Sequence, residues 1–419
     1  MTDDFAIALL RDLFATALAA ADPARLVPPA LPERPAGPVT VLGAGKASAA
    51  MARAVEKAWG PPMRGLVIVP DGYGARCDHV EIVEAAHPVP DERGLTAARR
   101  ILDMARALGR DDYLLAPISG GGSALMTLPA DDISIRDLRQ LNRALLACGA
   151  AIDEINTVRK HVSAIKGGRL AEAAWPAPVL ALLLSDVPGD DPAVIASGPT
   201  VADASTRADA LAVLRKYAID PPASIARWLD DPRSETPKPG DARLSKSGWR
   251  MTGTPARALR RAARAARAMG LHVIDLGGRV QGEAREVARR HALLARALAE
   301  RGTGRPALIL SGGETTVTVR GKGRGGRNSE YALALAIALQ GRDGVWALAA
   351  DTDGVDGMED NAGAVITPDT IRRARAAGMN PQAFLMDNGA YDFFARAGGL
   401  VVTGPTCTNV NDFRAILVR

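Results

Sequence analysis

The sequence predicts an α/β protein of two domains: a larger N-terminal Rossmann-like α/β/α domain with a mainly parallel sheet, and a smaller C-terminal α/β domain. Three observations lead there. The chain has 419 residues, more than one ordinary hydrophobic core accommodates. Short apolar runs alternate with helical stretches, as in a parallel sheet covered on both faces. Between about residues 220 and 247 the composition turns to Pro, Asp, Ser and Lys with little apolar periodicity, which marks a boundary. The domains are therefore expected at 1–235 and 236–419.

The elements follow in order. Phe5, Leu9, Leu13 and Ala17 stand at helical spacing, so 4–20 reads as an amphipathic helix. A Pro-rich connector (28–38) leads to a strand at 39–42, a helix at 46–59, a strand at 65–69, an acidic strand at 81–84 and a helix at 94–108. The strand 113–118 runs into Ser119-Gly120-Gly121-Gly122-Ser123. A helical pair over 134–172 precedes a buried strand at 179–184. Past the boundary the expected elements are a helix at 255–269, a strand at 271–276, a helix at 283–301, strands at 307–310 and 315–319, a helix at 328–340 and a strand at 345–350. Helices at 370–377 and 391–396 and strands at 400–402 and 413–418 complete the chain.

Composition excludes several classes. Aromatics are 4% of residues, too few for a base-stacking platform. The net charge of +5 comes from Arg spread along helices and interleaved with acids, a solvated surface rather than a nucleic-acid footprint, although it favours an anionic substrate. Cys77, Cys148 and Cys407 form neither a disulfide framework nor a metal spacing. The N-terminus lacks a basic leader, and no apolar run is long enough to span a bilayer. A cytoplasmic protein is expected.

Five loops placed after apolar strands carry the chemistry, since ligands of open parallel sheets bind beyond the carboxyl ends of strands. Gly43-Ala44-Gly45-Lys46-Ala47-Ser48 combines small residues, a helix N-terminus and a cation, which suits a phosphate. It is neither a P-loop nor a complete dinucleotide fingerprint. Ser119–Ser123 can form a nest of backbone N–H groups. Ser185-Asp186-Val187-Pro188-Gly189-Asp190-Asp191 gathers carboxylates that need a cation beside them. Ser311-Gly312-Gly313-Glu314, followed by the basic stretch Arg320 to Asn328, offers guanidinium forks, of which Arg327 lies nearest a helix start. Asp351-Thr352-Asp353-Gly354-Val355-Asp356-Gly357 departs from an EF-hand at its twelfth position, Ala362, and fits a Mg²⁺-phosphate site better than calcium. Elsewhere, Arg159 and Lys166 share one edge of the stripe Ile155, Val158, Val162 and Ile165. His161 lies on the other edge, and Lys160 is expected in solvent. Near the C-terminus, Thr403 to Asp412 is dense in hydroxyls and amides that can orient a polar ligand.

The ordered set resembles the class II glycerate 2-kinase family, some of whose members carry the label hydroxypyruvate reductase of tartrate degradation. The set comprises Gly43-Ala44-Gly45-Lys46, Ser119 to Ser123, Asn156 to His161, Lys166-Gly167-Gly168-Arg169, Ser185-Asp186-Val187 and Ala196-Ser197-Gly198-Pro199. It continues with Gly312-Gly313-Glu314, Gly325-Gly326-Arg327-Asn328, Thr352-Asp353-Gly354 and Thr403-Gly404-Pro405-Thr406. The likeness covers about residues 5–418. It departs at Asp351 and Cys407, where the family often has Gly, and at Thr254, where an Asn is common. The resemblance implies an active site in the interdomain cleft and ATP-dependent, Mg²⁺-requiring conversion of D-glycerate to 2-phosphoglycerate, with Lys46 and Arg327 as the essential basic residues. The expected partners are this small molecule and the nucleotide, with no nucleic acid or membrane, in a monomer or homodimer.

On this reading Lys46, Arg327 and Asp186 are catalytic, the last as a proton acceptor or Mg²⁺ ligand. Gly45, Ser119, Gly120, Gly121, Gly122, Ser123, Arg159, Lys166, Asn328, Thr406 and Asn409 bind substrate or phosphate. Asp190, Glu314, Asp353 and Asp356 are the metal candidates. The two cations serve the transferring phosphate and the substrate carboxylate, in an order left open, and are expected to converge on one anion pocket. The main rival is an NAD(P)H-dependent hydroxypyruvate reductase. Against it, no acid stands about 20 residues past the glycines, where a ribose-binding carboxylate belongs. A non-enzymatic sugar-acid sensor is the other, and no helix-turn-helix supports it.

Overall fold

The computed structural model describes residues 1–302 and 304–419 and divides into two compact units. One spans Pro23–Thr252; the other joins Met1–Asp22 to Gly253–Arg419. The division thus falls at 252/253 instead of 235/236, and the first helix, Asp3–Ala20, belongs with the C-terminal half of the chain.

In the unit Pro23–Thr252 six strands form one sheet in the order β3-β2-β1-β4-β5-β6. They are β1 (Val39–Ala44), β2 (Met63–Pro70), β3 (Val80–Ala85), β4 (Tyr113–Ser119), β5 (Val179–Leu184) and β6 (Ser247–Gly253). From β3 to β5 every pair is parallel. β1 and β5 are buried at every position, as apolar strands between two helical layers must be. The strand order reverses at β1 and β4, so these two open a crevice at their carboxyl ends.

A second, helical core flanks that sheet. It packs Leu141 and Leu145 with Ile155, Val158 and Val162, and both sets with Leu214, Ile225, Trp228 and Leu229. The segment that reads as a linker folds back here through the helix Ala223–Asp230. Its Ile225, Trp228 and Leu229 pack on the apolar stripe of Ile155, Val158 and Val162. Lys160, expected in solvent, is instead buried, and its Nζ lies 3.2 Å from Asp203 Oδ1. The Trp228 indole donates to the His161 carbonyl at 2.7 Å, and the His161 ring meets Glu235 at 3.2 Å. The stretch 220–247 is thus not an open connector along its whole length: part of it packs into the helical core through Ile225, Trp228 and Leu229.

The unit joining Met1–Asp22 to Gly253–Arg419 holds a mixed sheet ordered β12-β11-β10-β13-β9-β7, with β8 also pairing β9. Its strands are β7 (His272–Asp275), β8 (Val280–Glu283), β9 (Ala307–Thr316), β10 (Val345–Asp351), β11 (Gly363–Ile366), β12 (Leu400–Val401) and β13 (Asp412–Val418). β13 runs antiparallel between β9 and β10, whereas β7 and β8 are parallel to β9. The helix Arg327–Leu339 is buried on nearly all sides, which its apolar run Tyr331 to Leu339 requires.

Two expected strands, 307–310 and 315–319, are one. Ser311-Gly312-Gly313-Glu314 is not a loop after a strand but the middle of β9, paired to β13 on one side and, at Gly313, to β8 on the other. Gly313 has φ +118°, and a Cβ there would stand 2.3 Å from the Val280 carbonyl oxygen. Only glycine permits β8 to approach so closely.

The first helix places Leu10, Leu13 and Phe14 inside this unit, with the Phe14 ring 5.5 Å from that of Phe413. Trp346 donates its indole N–H to Asp3 at 2.7 Å. Phe14→Ala should cost about 3–5 kcal/mol. Hydrogen exchange should then show the loss across 253–419 and leave the amides of 23–252 protected; the reverse distribution would contradict the discontinuous unit.

Candidate active site

In the unit Pro23–Thr252 the predicted residues gather at the β1/β4 crevice. The Gly45 amide continues the ladder to the Ile68 carbonyl at 3.0 Å, and the Lys46 amide donates to the Gly120 carbonyl at 2.8 Å. The Ser119 hydroxyl accepts from the Ala47 amide at 3.0 Å and meets the Ser48 hydroxyl at 3.1 Å. The Lys46 loop and the glycine run are thus tied together by their own backbones. Gly45 has φ +137°, and a Cβ there would stand 2.2 Å from the Ser119 hydroxyl. Gly121, left-handed at φ +81°, precedes the short helix Gly122–Leu125. The Lys46 stem passes close to it, as does the His87 imidazole, whose Nε2 would be 3.1 Å from a Cβ at 121. His87 has no recognisable motif around it, so nothing in the sequence points to it.

The Ser123 hydroxyl meets the Ser197 hydroxyl at 2.9 Å, and the Ser197 carbonyl accepts from the Gly167 amide at 3.0 Å. Ala196, Ser197 and Gly198 all have positive φ (51°, 61° and 58°). Two consecutive non-glycine residues in this region store strain of a kind that collects at functional sites. Asp186 and Asp190 follow β5 in sequence. Asp190 also has positive φ, 57°, and its Oδ1 is buried with no hydrogen-bond partner among the described residues. A buried carboxylate oxygen without a donor suits a hard cation, and Mg²⁺ needs few protein ligands. No group of three or more His, Cys, Asp or Glu placed to hold a metal occurs among the described residues.

In the unit joining Met1–Asp22 to Gly253–Arg419, Arg327 opens its helix and bonds three carboxylates. Its Nε donates to Asp412 at 2.7 Å, one terminal nitrogen to Asp351 at 2.6 Å and the other to Glu314 at 3.2 Å. Burial works against its charge, but these three acids outweigh burial and raise the Arg327 pKa well above the ordinary value. Asp412 also accepts from the Asn328 amide group at 2.8 Å and pairs with Arg414. Burial would lift the Asp412 pKa, yet Arg327 and Arg414 hold it below the usual carboxylate range. Asn328, fully buried, orients Asp412 with its Nδ2.

Asp356 has a task other than the expected one. Both of its oxygens accept from the start of the Arg327–Leu339 helix: from the Asn328 amide at 2.8 Å, from the Ser329 amide at 2.7 Å and from the Ser329 hydroxyl. It is a buried helix anchor, with burial pushing its pKa up. Asp353 is buried and accepts from the Val355 amide at 2.8 Å. Thr406 donates its hydroxyl to the Thr352 carbonyl at 2.6 Å, and Asn409 accepts from the Asn411 amide at 3.1 Å. Thr406 thereby locks the Thr403–Asp412 loop onto the Asp351–Gly357 loop, and Asn409 braces the same loop from within. The Arg320–Gly326 loop is docked as well: the Asn388 side chain accepts from the Arg320 and Gly321 amides at 2.7 and 3.1 Å. Asp412 and Arg414 escape a reading of the sequence because Arg414 looks like an ordinary residue of a terminal strand.

Comparison with known proteins gives the family of the chain. The family described as a domain of unknown function, DUF4147, matches residues 9–230, and the MOFRL family matches 307–412. A D-glycerate 2-kinase of Thermotoga maritima is 41% identical over 394 residues, covering 93% of each chain. The chain belongs to the class II glycerate 2-kinase family. A crystal structure of glycerate kinase from T. maritima matches with a TM-score of 0.87 at 39% identity, covering 98% of this chain and 99% of that one. A protein of Agrobacterium vitis named as a hydroxypyruvate reductase is 51% identical over 415 residues, 98% of this chain and 94% of its own. Both names therefore occur among relatives of this glycerate 2-kinase family member.

Asp412→Asn tests the ionic arrangement. It leaves Arg414 and Arg327 short of a counter-charge in a buried setting and should cost about 3–5 kcal/mol. Adding Arg414→Met should restore part of that loss, as thermal unfolding of the two variants would read out.

Proposed function

We propose that this chain is an ATP-dependent D-glycerate 2-kinase of the cytoplasm, using Mg²⁺. The observation that carries the reading is the crevice at β1 and β4, where the Lys46 loop is tied by its backbone to a glycine run that opens a short helix, an arrangement suited to phosphate. Phosphoryl transfer asks mainly for positioning and charge stabilisation. The substrate hydroxyl oxygen attacks the terminal phosphorus of ATP, the bond to the bridging oxygen breaks, and ADP leaves. We assign Lys46 and the amides of 119–123 to the phosphate oxygens and Asp186 to the hydroxyl proton. Arg327, held by Asp412, Asp351 and Glu314, is assigned as the second cation. Its fixed guanidinium loses little entropy on meeting an anion. Asp190, with its unpartnered oxygen, is the residue we assign to hold Mg²⁺, which when bound supplies charge neutralisation on the phosphates.

The reductase reading has one observation on its side besides a relative's name: Asp71 directly follows β2, the place of a ribose-binding acid. Both Asp71 oxygens are taken by Arg93, at 2.7 and 2.8 Å. That pairing favours the kinase.

With D-glycerate, ATP and Mg²⁺ the protein should form 2-phosphoglycerate, identified by phosphorus NMR, while NADH with hydroxypyruvate should remain unoxidised. Lys46→Ala should lower kcat by about 10²- to 10³-fold with an unchanged circular dichroism spectrum. Turnover of NADH without phosphate transfer would replace the kinase by the reductase.

A further inference from the structure

A small cavity in the unit Pro23–Thr252 is lined by Thr127, Leu138, Asn142, Arg159, Ser163 and Lys166, among others. Two cations face it and no carboxylate lines it. Lys166 is 6% exposed, and its ammonium has no hydrogen-bond or ion-pair partner among the described residues. Arg159 uses its Nε on the Asn142 side-chain oxygen at 3.0 Å, while its two terminal nitrogens are without partners among the described residues. Burial and the neighbouring Arg159 push the Lys166 ammonium down to about 7.

A fold does not gain stability from a buried lysine set beside a half-buried arginine with no counter-charge; the desolvation of Lys166 and the repulsion between the two both oppose it. The contrast with Lys160, on the same helix as Arg159, is direct: that lysine is equally buried but is matched by Asp203. A lysine without such a match either sheds its proton or takes its counter-charge from an anion outside the chain. The size of that anion is limited, because the free interior is about 10 Å³, on the order of one water. Acid oxygens fit there; a base or a sugar ring does not. The cavity also adjoins the crevice residues. Thr127 donates its hydroxyl to the Ser123 and Ala124 carbonyls at 3.3 and 2.7 Å, and Lys166 precedes Gly167, which bonds Ser197.

We propose that the Arg159–Lys166 cavity is a carboxylate subsite that receives the acid end of the hydroxy-acid substrate. This assignment rests on the kinase reading. It makes Arg159 and Lys166 substrate-binding residues, distinct from the Lys46 loop and the amides that meet phosphate.

The test compares the wild type with Arg159→Met and Lys166→Met, measuring initial rates against D-glycerate and against ATP, D-glycerate binding by calorimetry without nucleotide, and thermal unfolding. Wild-type turnover tests the kinase reading by itself, and the variants test the subsite. KM for D-glycerate should rise about 10- to 100-fold in either variant while KM for ATP stays put. The melting temperature of Lys166→Met should be unchanged or higher, because a buried unpaired charge has been removed; a purely structural lysine would lower it. A rise in KM for ATP instead would assign the cavity to phosphate and overturn the proposal, as would unchanged constants for both substrates. Should the methionine variants fail to fold, selective acylation of Lys166 in the wild type at pH 8 decides the question. Protection by D-glycerate but not by inorganic phosphate supports the subsite, and protection by neither, or by phosphate alone, overturns it.

Discussion

The Asp412 carboxylate is the constraint on which the second candidate half-site depends. It lies at the start of β13, fully buried, and one of its oxygens serves Arg327 and Asn328 while the other serves Arg414 and Thr315. Two guanidiniums share one acid, so neither can leave without exposing an uncompensated charge in a low-dielectric interior. Arg414 in turn stacks over the Tyr331 ring at 5.2 Å, and Tyr331 bonds His291 at 2.7 Å. Burial and Arg414 push the His291 pKa down to about 4, which keeps the imidazole neutral beneath the cluster. The direction of the Arg327 side chain is therefore set from below, by the core, as well as by the loops around it.

The first half-site is built by a different means. Its positions are fixed by backbone: strand ends at a reversal of order, amides bonded to carbonyls across the crevice, and serine hydroxyls sealing the remaining donors. Few charges are involved, and the one cation of the Lys46 loop projects from a backbone that cannot move without breaking those bonds. One unit thus relies on ionic compensation and the other on main-chain geometry to hold its reactive groups.

How much of this is legible in the sequence varies with the kind of signal. The parallel sheet is legible because β1, β4 and β5 are strongly apolar, and the crevice because Gly-x-Gly-Lys and Gly-Gly-Gly both follow such strands. Gly312 and Gly313 mislead, since a glycine pair within a strand looks like a turn until the neighbouring strand that needs the space is known. Asp356 misleads because an acid cluster resembles a metal site, whereas its oxygens serve amides that lie 28 and 27 residues earlier in the chain. Lys160 and the 220–247 stretch mislead in the same way: Lys160 looks solvated until Asp203 is placed beside it, and the stretch looks like a connector until Trp228 is placed in the helical core. Long-range pairing of this sort leaves no periodic trace in a single sequence, which is also why Asp412 and Arg414 escape notice.

The discontinuity of the second unit bears on how the polypeptide emerges from the ribosome. The helix Asp3–Ala20 is synthesised ahead of the rest of its unit, and its apolar face has no core to join until the chain has passed Gly253 and its strands have formed. At about 5–20 residues per second the interval is on the order of tens of seconds. During it the intervening unit can complete its own sheet while an oily amphipathic segment stays exposed. Newborn chains should therefore be the state most dependent on chaperone shielding, and a fusion placed ahead of this helix should perturb the last part of the molecule to be made.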